Sequence, residues 1–232
     1  MEKLYKSQFT FPKWKPKLLL HICCAPDLVV PLIDLKRYFK LYLFWYNPNI
    51  QPYSEYAKRY KEYIKLLKLE EGDYEIVKWQ FSGQKVEKMS KDDLLKENEI
   101  FYDWNEFYRK LFKFRWKVWL DWDYRNLMKD FSEMEEKNSP RCDICYYFRL
   151  LEPALVAKQI WVEYFTTTLL ISPKKSVEKL DKWWKIVTEE TWVKYLTFDF
   201  RKNNGFKRAA DYTKQNNIRR QNYCWCAWSI RK

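Results

Sequence analysis

Glycine is scarce in this chain and histidine nearly absent: Gly72, Gly83 and Gly205 are the only glycines among 232 residues, and His21 is the only histidine. Glycines so few and so far apart leave no Gly-rich loop to cradle phosphates behind a first strand, which weighs against ATP-driven chemistry. No stretch approaches the eighteen or more apolar residues of a membrane span, and the first residues carry no apolar run with a small-residue cleavage site. A cytoplasmic protein without a membrane partner is expected. Internal repeats and low-complexity linkers are missing as well, so a single α/β domain is expected over residues 1–232, a length that leaves room for a large insertion. Isolated cysteines are also missing: every one of the six stands in a tight pair.

Hydrophobic residues make up 47% of the chain and aromatics 20%, so a substantial core forms without help from disulfides despite 32% charged residues. The 44 Lys and Arg exceed the 31 Asp and Glu and leave a formal charge of +13, which suits a phosphate-bearing partner. Nucleic acid is attracted by such a surface, and exposed Tyr or Trp stack on unpaired bases. Lys-rich helix faces are nevertheless often only solvated, and most aromatics belong in the core.

The cysteine pairs are Cys23–Cys24 in "LLLHICCAPD", Cys142 and Cys145 in "RCDICYYFRL", and Cys224 and Cys226 in "QNYCWCAWS". Cytosolic thiols stay reduced, and three pairs separated by long intervals point to three loops meeting at a soft-metal site. Asp27 follows Cys24 by three residues, the spacing of one helix face, and pairs with it as thiolate plus carboxylate, while Cys23 is expected to turn elsewhere. An iron-sulfur cluster can take Cys23, Cys142, Cys145 and either Cys224 or Cys226, leaving Cys24, Asp27 and the other tail thiol to a neighbouring ion. Asp27 also reads as an ordinary helix-start residue. Zinc is the structural alternative, although C-C and C-x-C spacings fit a four-thiolate staple poorly and six thiols leave two over.

Strand and helix patterns alternate along the chain. Lys17 to His21 reads as a strand, a helix follows from Pro26 to about Tyr38, and Leu41 to Asn49 is a second strand. A helix from Ser54 to Leu69 is closed by Gly72, and Tyr74 to Trp79 is a third strand. About residues 81–138 the pattern is helical without a convincing strand, which predicts a helical insertion. "WVEYFTTTLLIS" returns to strand, Ser176 to Thr188 is helical, Tyr195 to Phe200 is a strand, and a last helix spans about Phe206 to Asn216. The predicted fold class is α/β, a parallel sheet with helices on both faces, whose ligands bind beyond the carboxyl ends of the strands. Cys23 and Cys24 lie just beyond such an end, and the C-x-C sits in a tail able to fold back over it.

Other polar groups stand at similar positions. Asn47 and Asn49, with Tyr53, Glu55 and Arg59, follow the second strand and suit either a base or the turn itself. Thr166 to Thr168, Ser172 and Lys174 suit phosphate or ribose, or simply a β-rich strand. Arg141, Arg149, Arg201, Lys202, Arg208, Arg219, Arg220 and Gln221 are candidates for gripping RNA. His21 is either a proton donor or metal ligand, or a hydrogen-bonded core residue.

The blocks "LLLHICCAP", "YNPNIQPYSEYAKR", "RCDICYYFRL", "FTTTLLISPKK", "DFRKNNGFKRAADY" and "RRQNYCWCAWS" resemble, in that order and over most of the chain, the cobalamin-independent epoxyqueuosine reductases of the QueH family. The resemblance implies a nucleotide alpha-hydrolase-like (HUP) fold and a two-electron deoxygenation of epoxyqueuosine at the tRNA wobble position. It further implies a 4Fe-4S cluster with an additional iron ion and an external electron donor of ferredoxin or flavodoxin type. The working assignment gives the cluster Cys23, Cys142, Cys145 and Cys224 and the catalytic ion Cys24, Asp27 and Cys226, the choice between Cys224 and Cys226 and between Cys23 and Cys24 staying open. The chain departs from the family pattern at Asp27, where many members carry Cys, and at Trp225, where they carry Gly. An oxygen donor at Asp27 makes the second site harder and better suited to an ion that must take oxygen. The rival readings are an ATP-dependent tRNA sulfurtransferase and a zinc-stapled RNA-binding module.

Overall fold

The structure, a computed structural model, describes residues 14–47, 50, 53–80, 85–96, 140–173 and 175–224. Strand β1 (Lys17–Ile22) is followed by helix α1 (Ala25–Leu35), β2 (Lys40–Trp45), α2 (Tyr53–Leu69), β3 (Tyr74–Gln80), β4 (Lys85–Met89) and the short α3 (Lys91–Lys96). Beyond it come α4 (Pro140–Gln159), β5 (Tyr164–Thr167), a 3-10 turn (Thr168–Ile171), α5 (Val177–Thr191), β6 (Lys194–Tyr195) and α6 (Gly205–Gln215).

The six strands form one sheet in the order β4-β3-β2-β1-β5-β6, parallel except for the β3–β4 hairpin. β1 lies at the centre, and its Leu18, Leu19 and Leu20 are wholly buried, as befits a parallel strand covered on both sides. The chain steps outward from β1 through β2 to β3, then returns and steps from β5 to β6 in the opposite direction. Right-handed crossovers place helices from opposite steps on opposite faces. Accordingly α1 packs against α2 and α6, and α4 packs against α5. The reversal between β1 and β5 opens a crevice at their carboxyl ends, where Cys23 follows β1 and Thr168 follows β5.

Three expectations are corrected. The supposed helical insertion begins with β4, paired antiparallel to β3 from Gln80↔Lys85 to Ile76↔Met89, before the turn of α3; residues 97–139 lie outside the described set. The run from Tyr195 to Phe200 is strand only at Lys194–Tyr195, because Asp199 turns the chain by accepting the Arg201 N–H at 3.2 Å while Phe198 and Phe200 plug the core. In "WVEYFTTTLLIS" only Tyr164–Thr167 is strand, since the Thr167 hydroxyl accepts the Leu169 N–H at 3.2 Å and winds the next residues into the 3-10 turn. The helix α4, unassigned from the sequence, carries the C-x-x-C in its first turns.

Candidate metal centre

Cys23 and Cys24 are fully buried where β1 passes into α1. Cys24 occupies the residue before the helix in extended backbone, with φ −166° and ψ 164°. It is therefore not yet helical, and the expected separation of Cys23 from the Cys24–Asp27 pair does not occur. Cys23 Sγ lies 3.0 Å from Asp27 Oδ2 and 3.9 Å from Cys24 Sγ, and ligand atoms of all three residues fall within 4.8 Å of one another. Two sulfurs and one oxygen in a buried cluster form a donor set suited to a transition metal that accepts both soft and hard ligands.

Neighbouring groups fix these donors. The Thr168 hydroxyl accepts the Cys23 N–H at 3.0 Å and donates to Cys23 Sγ at 3.0 Å. Gln221 Nε2 donates to Cys24 Sγ at 3.0 Å. Burial pushes the Cys23 thiol well up, and hydrogen bonding to Cys24 and the Asp27 charge push it further, while the buried Arg149 guanidinium opposes them. Burial also raises Asp27, against hydrogen bonds from Cys23 and Cys24 and the charges of Lys175 and Arg149. Burial thus works against charge on Cys23 and Asp27, a cost that a bound cation offsets.

Among the described residues Cys142, Cys145 and Cys224 do not join this group of ligand atoms, but they act on Tyr146 or Lys175, the second of which also acts on Asp27. Lys175 Nζ donates to Cys224 Sγ at 2.7 Å and lies 5.9 Å from the centre of the Tyr146 ring. The charges of Cys142, Cys145 and Cys224 all bear on Tyr146, whose hydroxyl is pushed up to about 12 chiefly by burial. Lys175 also acts on Asp27 and Cys145, so one ammonium links the two groups of donors. Burial lowers its pKa, but the Cys224 and Tyr146 charges outweigh that effect and keep it protonated. Sequence reasoning passed over Lys175; its place just beyond β5, at a strand's carboxyl end, was the available signal. Cys226 and Trp225 lie outside the described residues, as do Asn49 and Lys174.

His21 is a core residue. Its Nε2–H donates to the Tyr46 carbonyl at 3.0 Å, so Nδ1 accepts from the Thr167 hydroxyl at 2.8 Å. Burial first, and Arg149 second, hold the imidazole neutral by lowering its pKa well below the usual range. It ties β1 to the loop after β2 and to β5 beneath the cysteines. Asn47 is used similarly, donating to the Ile22 carbonyl at 2.9 Å and accepting from Arg149 Nη2 at 2.7 Å.

The threonines face inward as well. Thr166 donates to the Leu196 carbonyl at 2.7 Å, and Thr167 and Thr168 are engaged with His21 and Cys23, so a phosphate-binding role for this run is not what the structure gives. Among the cations offered to RNA, Arg149 is buried, Arg208 forks onto Asp34 at 2.7 and 3.2 Å, Arg201 pairs with Asp199, and Arg219 pairs with Glu55. Lys202 and Arg220 remain exposed, the latter over the Phe206 ring at 5.1 Å.

The sequence model of the family described as epoxyqueuosine reductase QueH matches residues 18–100 and 101–232. The chain belongs to that family. It is 29% identical to epoxyqueuosine reductase QueH of Thermotoga maritima across 92% of this chain and 90% of that protein. Its counterpart in Staphylococcus epidermidis is 28% identical, covering 94% of this chain and 78% of the relative, and that of Dehalococcoides mccartyi 26%, covering 92% of each. All six cysteines of this chain, and the buried donors at the β1–β5 crevice, fall within the matched residues. No helix among the described residues is long and apolar enough to cross a membrane.

Proposed function

We propose that this chain is an epoxyqueuosine reductase acting on tRNA: two electrons and two protons convert the epoxide of the wobble nucleoside to the cyclopentene of queuosine and release water. The observation that carries this reading is the convergence of Cys23, Cys24 and Asp27 at the sheet's switch point, in a chain matched by that family's model. In the proposed assignment Cys23, Cys142, Cys145 and Cys224 hold a 4Fe-4S cluster, and Cys24, Asp27 and Cys226 hold an additional iron ion. When bound, these groups supply one-electron steps and a Lewis acid for the departing oxygen.

The protein's own contribution is a buried group of donors held in place before any metal arrives. Complete burial of the adjacent thiols excludes water from the reacting centre, and Arg149 and Lys175 offset the negative charge that metal-bound thiolates concentrate there. Thr168 holds Cys23 through both backbone and sulfur, so its orientation survives changes in charge. The basic surface supplies general attraction for tRNA, and electrons come from an external donor of ferredoxin or flavodoxin type in the cytoplasm.

The test is anaerobic purification, quantification of iron, sulfide and zinc, and turnover of epoxyqueuosine-tRNA with dithionite. More than four irons and four sulfides per chain, a brown colour that bleaches on reduction, and formation of queuosine are expected. One zinc without sulfide and without turnover overturns the proposal. Thr168→Val keeps the shape and removes the hydroxyl: the midpoint potential is expected to become more negative as the sulfur loses a hydrogen bond. Denaturant unfolding of that variant should reveal a loss of about 1–3 kcal/mol, because the buried Cys23 N–H loses its acceptor.

A further inference from the structure

The chain leaves α6 by a sharp reversal. Asn217 is left-handed at φ 54°, its N–H reaches the Lys214 carbonyl at 3.3 Å, and the Ile218 N–H reaches that of Thr213 at 2.8 Å. This is a Schellman cap with Asn where Gly is usual, and buried Ile218 completes it. Residues 217–224 then run back along α2, opposite to its direction, toward the crevice.

The contacts follow in order. Lys65 Nζ holds the Asn217 carbonyl at 2.7 Å, and Glu62 accepts the Arg219 N–H at 2.9 Å. The Arg219 guanidinium meets both oxygens of Glu55 at 2.9 Å, and the same carboxylate accepts Arg59 Nε at 2.7 Å. Arg59 then spends its other nitrogens on the strap: Nη1 donates to the Cys224 carbonyl at 2.6 Å, Nη2 reaches that of Tyr223 at 3.5 Å, and the guanidinium lies 4.7 Å from the centre of the Tyr223 ring. Arg59 and Glu55 are both buried. Burial would raise the Glu55 carboxyl, but Arg219 and Arg59 hold it below its ordinary value, so it stays ionised between two cations. None of the three touches a thiol sulfur of the metal centre in these contacts, yet together they fix the backbone that carries Cys224.

We propose that Arg59 is a positioning residue: with Glu55 and Arg219 it latches the C-terminal strap along α2 and thereby presents the Cys224 thiol to the metal centre. This rests on the reading above in that Cys224 is taken as a ligand. A planar guanidinium with several donors holds two carbonyls, a carboxylate and an aromatic ring at once, which no other side chain does.

The experiment uses the anaerobically purified full chain and two readouts: amide hydrogen exchange, resolved between residues 217–224 and strands β1, β2 and β5, and the rate at which a ferrous chelator removes bound iron. In Arg59→Met, exchange in the strap is expected to rise about tenfold or more, the loss of charge-assisted hydrogen bonds being ample for that factor. The strands should exchange as before, and iron should leave about tenfold faster. Arg219→Met, a half-exposed site, should act in the same direction with little risk to folding, and Lys65→Met, which frees only the far end at Asn217, should leave iron retention unaltered. Unchanged strap exchange, strap and strands loosening together in both latch variants, or a loosened strap that retains its iron would each overturn the latch. A wild-type chain without iron and sulfide would instead overturn the metal reading, while the exchange data still judge the docking of the strap.

Discussion

Asp27→Ala is expected to lower turnover of epoxyqueuosine-tRNA at least about 100-fold, since even residues that only support a metal ligand are commonly worth 10–100-fold. Asp27 is the one oxygen donor in the buried cluster, 3.0 Å from Cys23 Sγ. Its removal leaves sulfur alone around an ion that must accept oxygen from the substrate. The cluster is expected to survive, because none of its four assigned thiols changes, so the brown absorbance should remain largely intact while iron falls toward four per chain. The fold should survive too: burial already disfavours the Asp27 charge, and alanine removes that unfavourable burial. Parallel measurement of iron, sulfide, absorbance and turnover checks this. Unaltered turnover would remove Asp27 from the chemistry; loss of colour together with turnover would move it into the cluster's own ligand set.

Gly205→Ala should destabilise the fold by about 3 kcal/mol although it adds only one methyl at this buried position, which corresponds to roughly 6–12 °C in Tm for a domain of this size. Gly205 opens α6, and a Cβ there would overlap the Phe200 carbonyl oxygen. The turn cannot open to make room cheaply. Asn203 and Asn204 are both left-handed, at φ 54° and 56°, and the Gly205 N–H already closes on the Arg201 and Lys202 carbonyls at 3.2 and 3.1 Å. Any shift of this turn disturbs Phe198 and Phe200 in the core and the packing of α6 on α1, where Arg208 meets Asp34. Gly72→Ala is the control: its added methyl meets the Tyr74 ring edge at 3.1 Å and Lys36 Cδ at 3.4 Å, side-chain atoms at an exposed position. Thermal unfolding of both variants checks the contrast, and equal small shifts would refute it.

Local pattern was legible wherever a single element's own residues decide its state. The run Leu18 to Leu20 could only be a buried strand, and the polar and aromatic alternation of α2 could only be a surface helix, so β1, β2, α1, α2 and β3 were placed within a few residues. The pattern failed where distant parts intervene. α4 has Cys142, Cys145 and Pro153 scattered through it and packs on α5 and β1, so its apolar face lacks a clean helical period. β4 owes its state to pairing with β3 across a hairpin, which polar Lys85, Glu87 and Lys88 do not announce.

By itself the sequence determined the chemistry in stock: six thiols in three pairs, a carboxylate beside one pair, and a basic surface, which are properties of residue type and spacing. The tertiary structure decided what meets what. Cys23 joined Cys24 and Asp27 because Cys24 remains extended before α1, a backbone state that spacing does not fix. Thr168 reached Cys23 because the strand order sets β5 beside β1. Gln221 and Cys224 arrived because the chain reverses at Asn217 and is fastened along α2 by Arg59, Glu55 and Arg219. Periodicity is set by neighbours along the chain, whereas a site at a switch point is set by the order in which strands join the sheet.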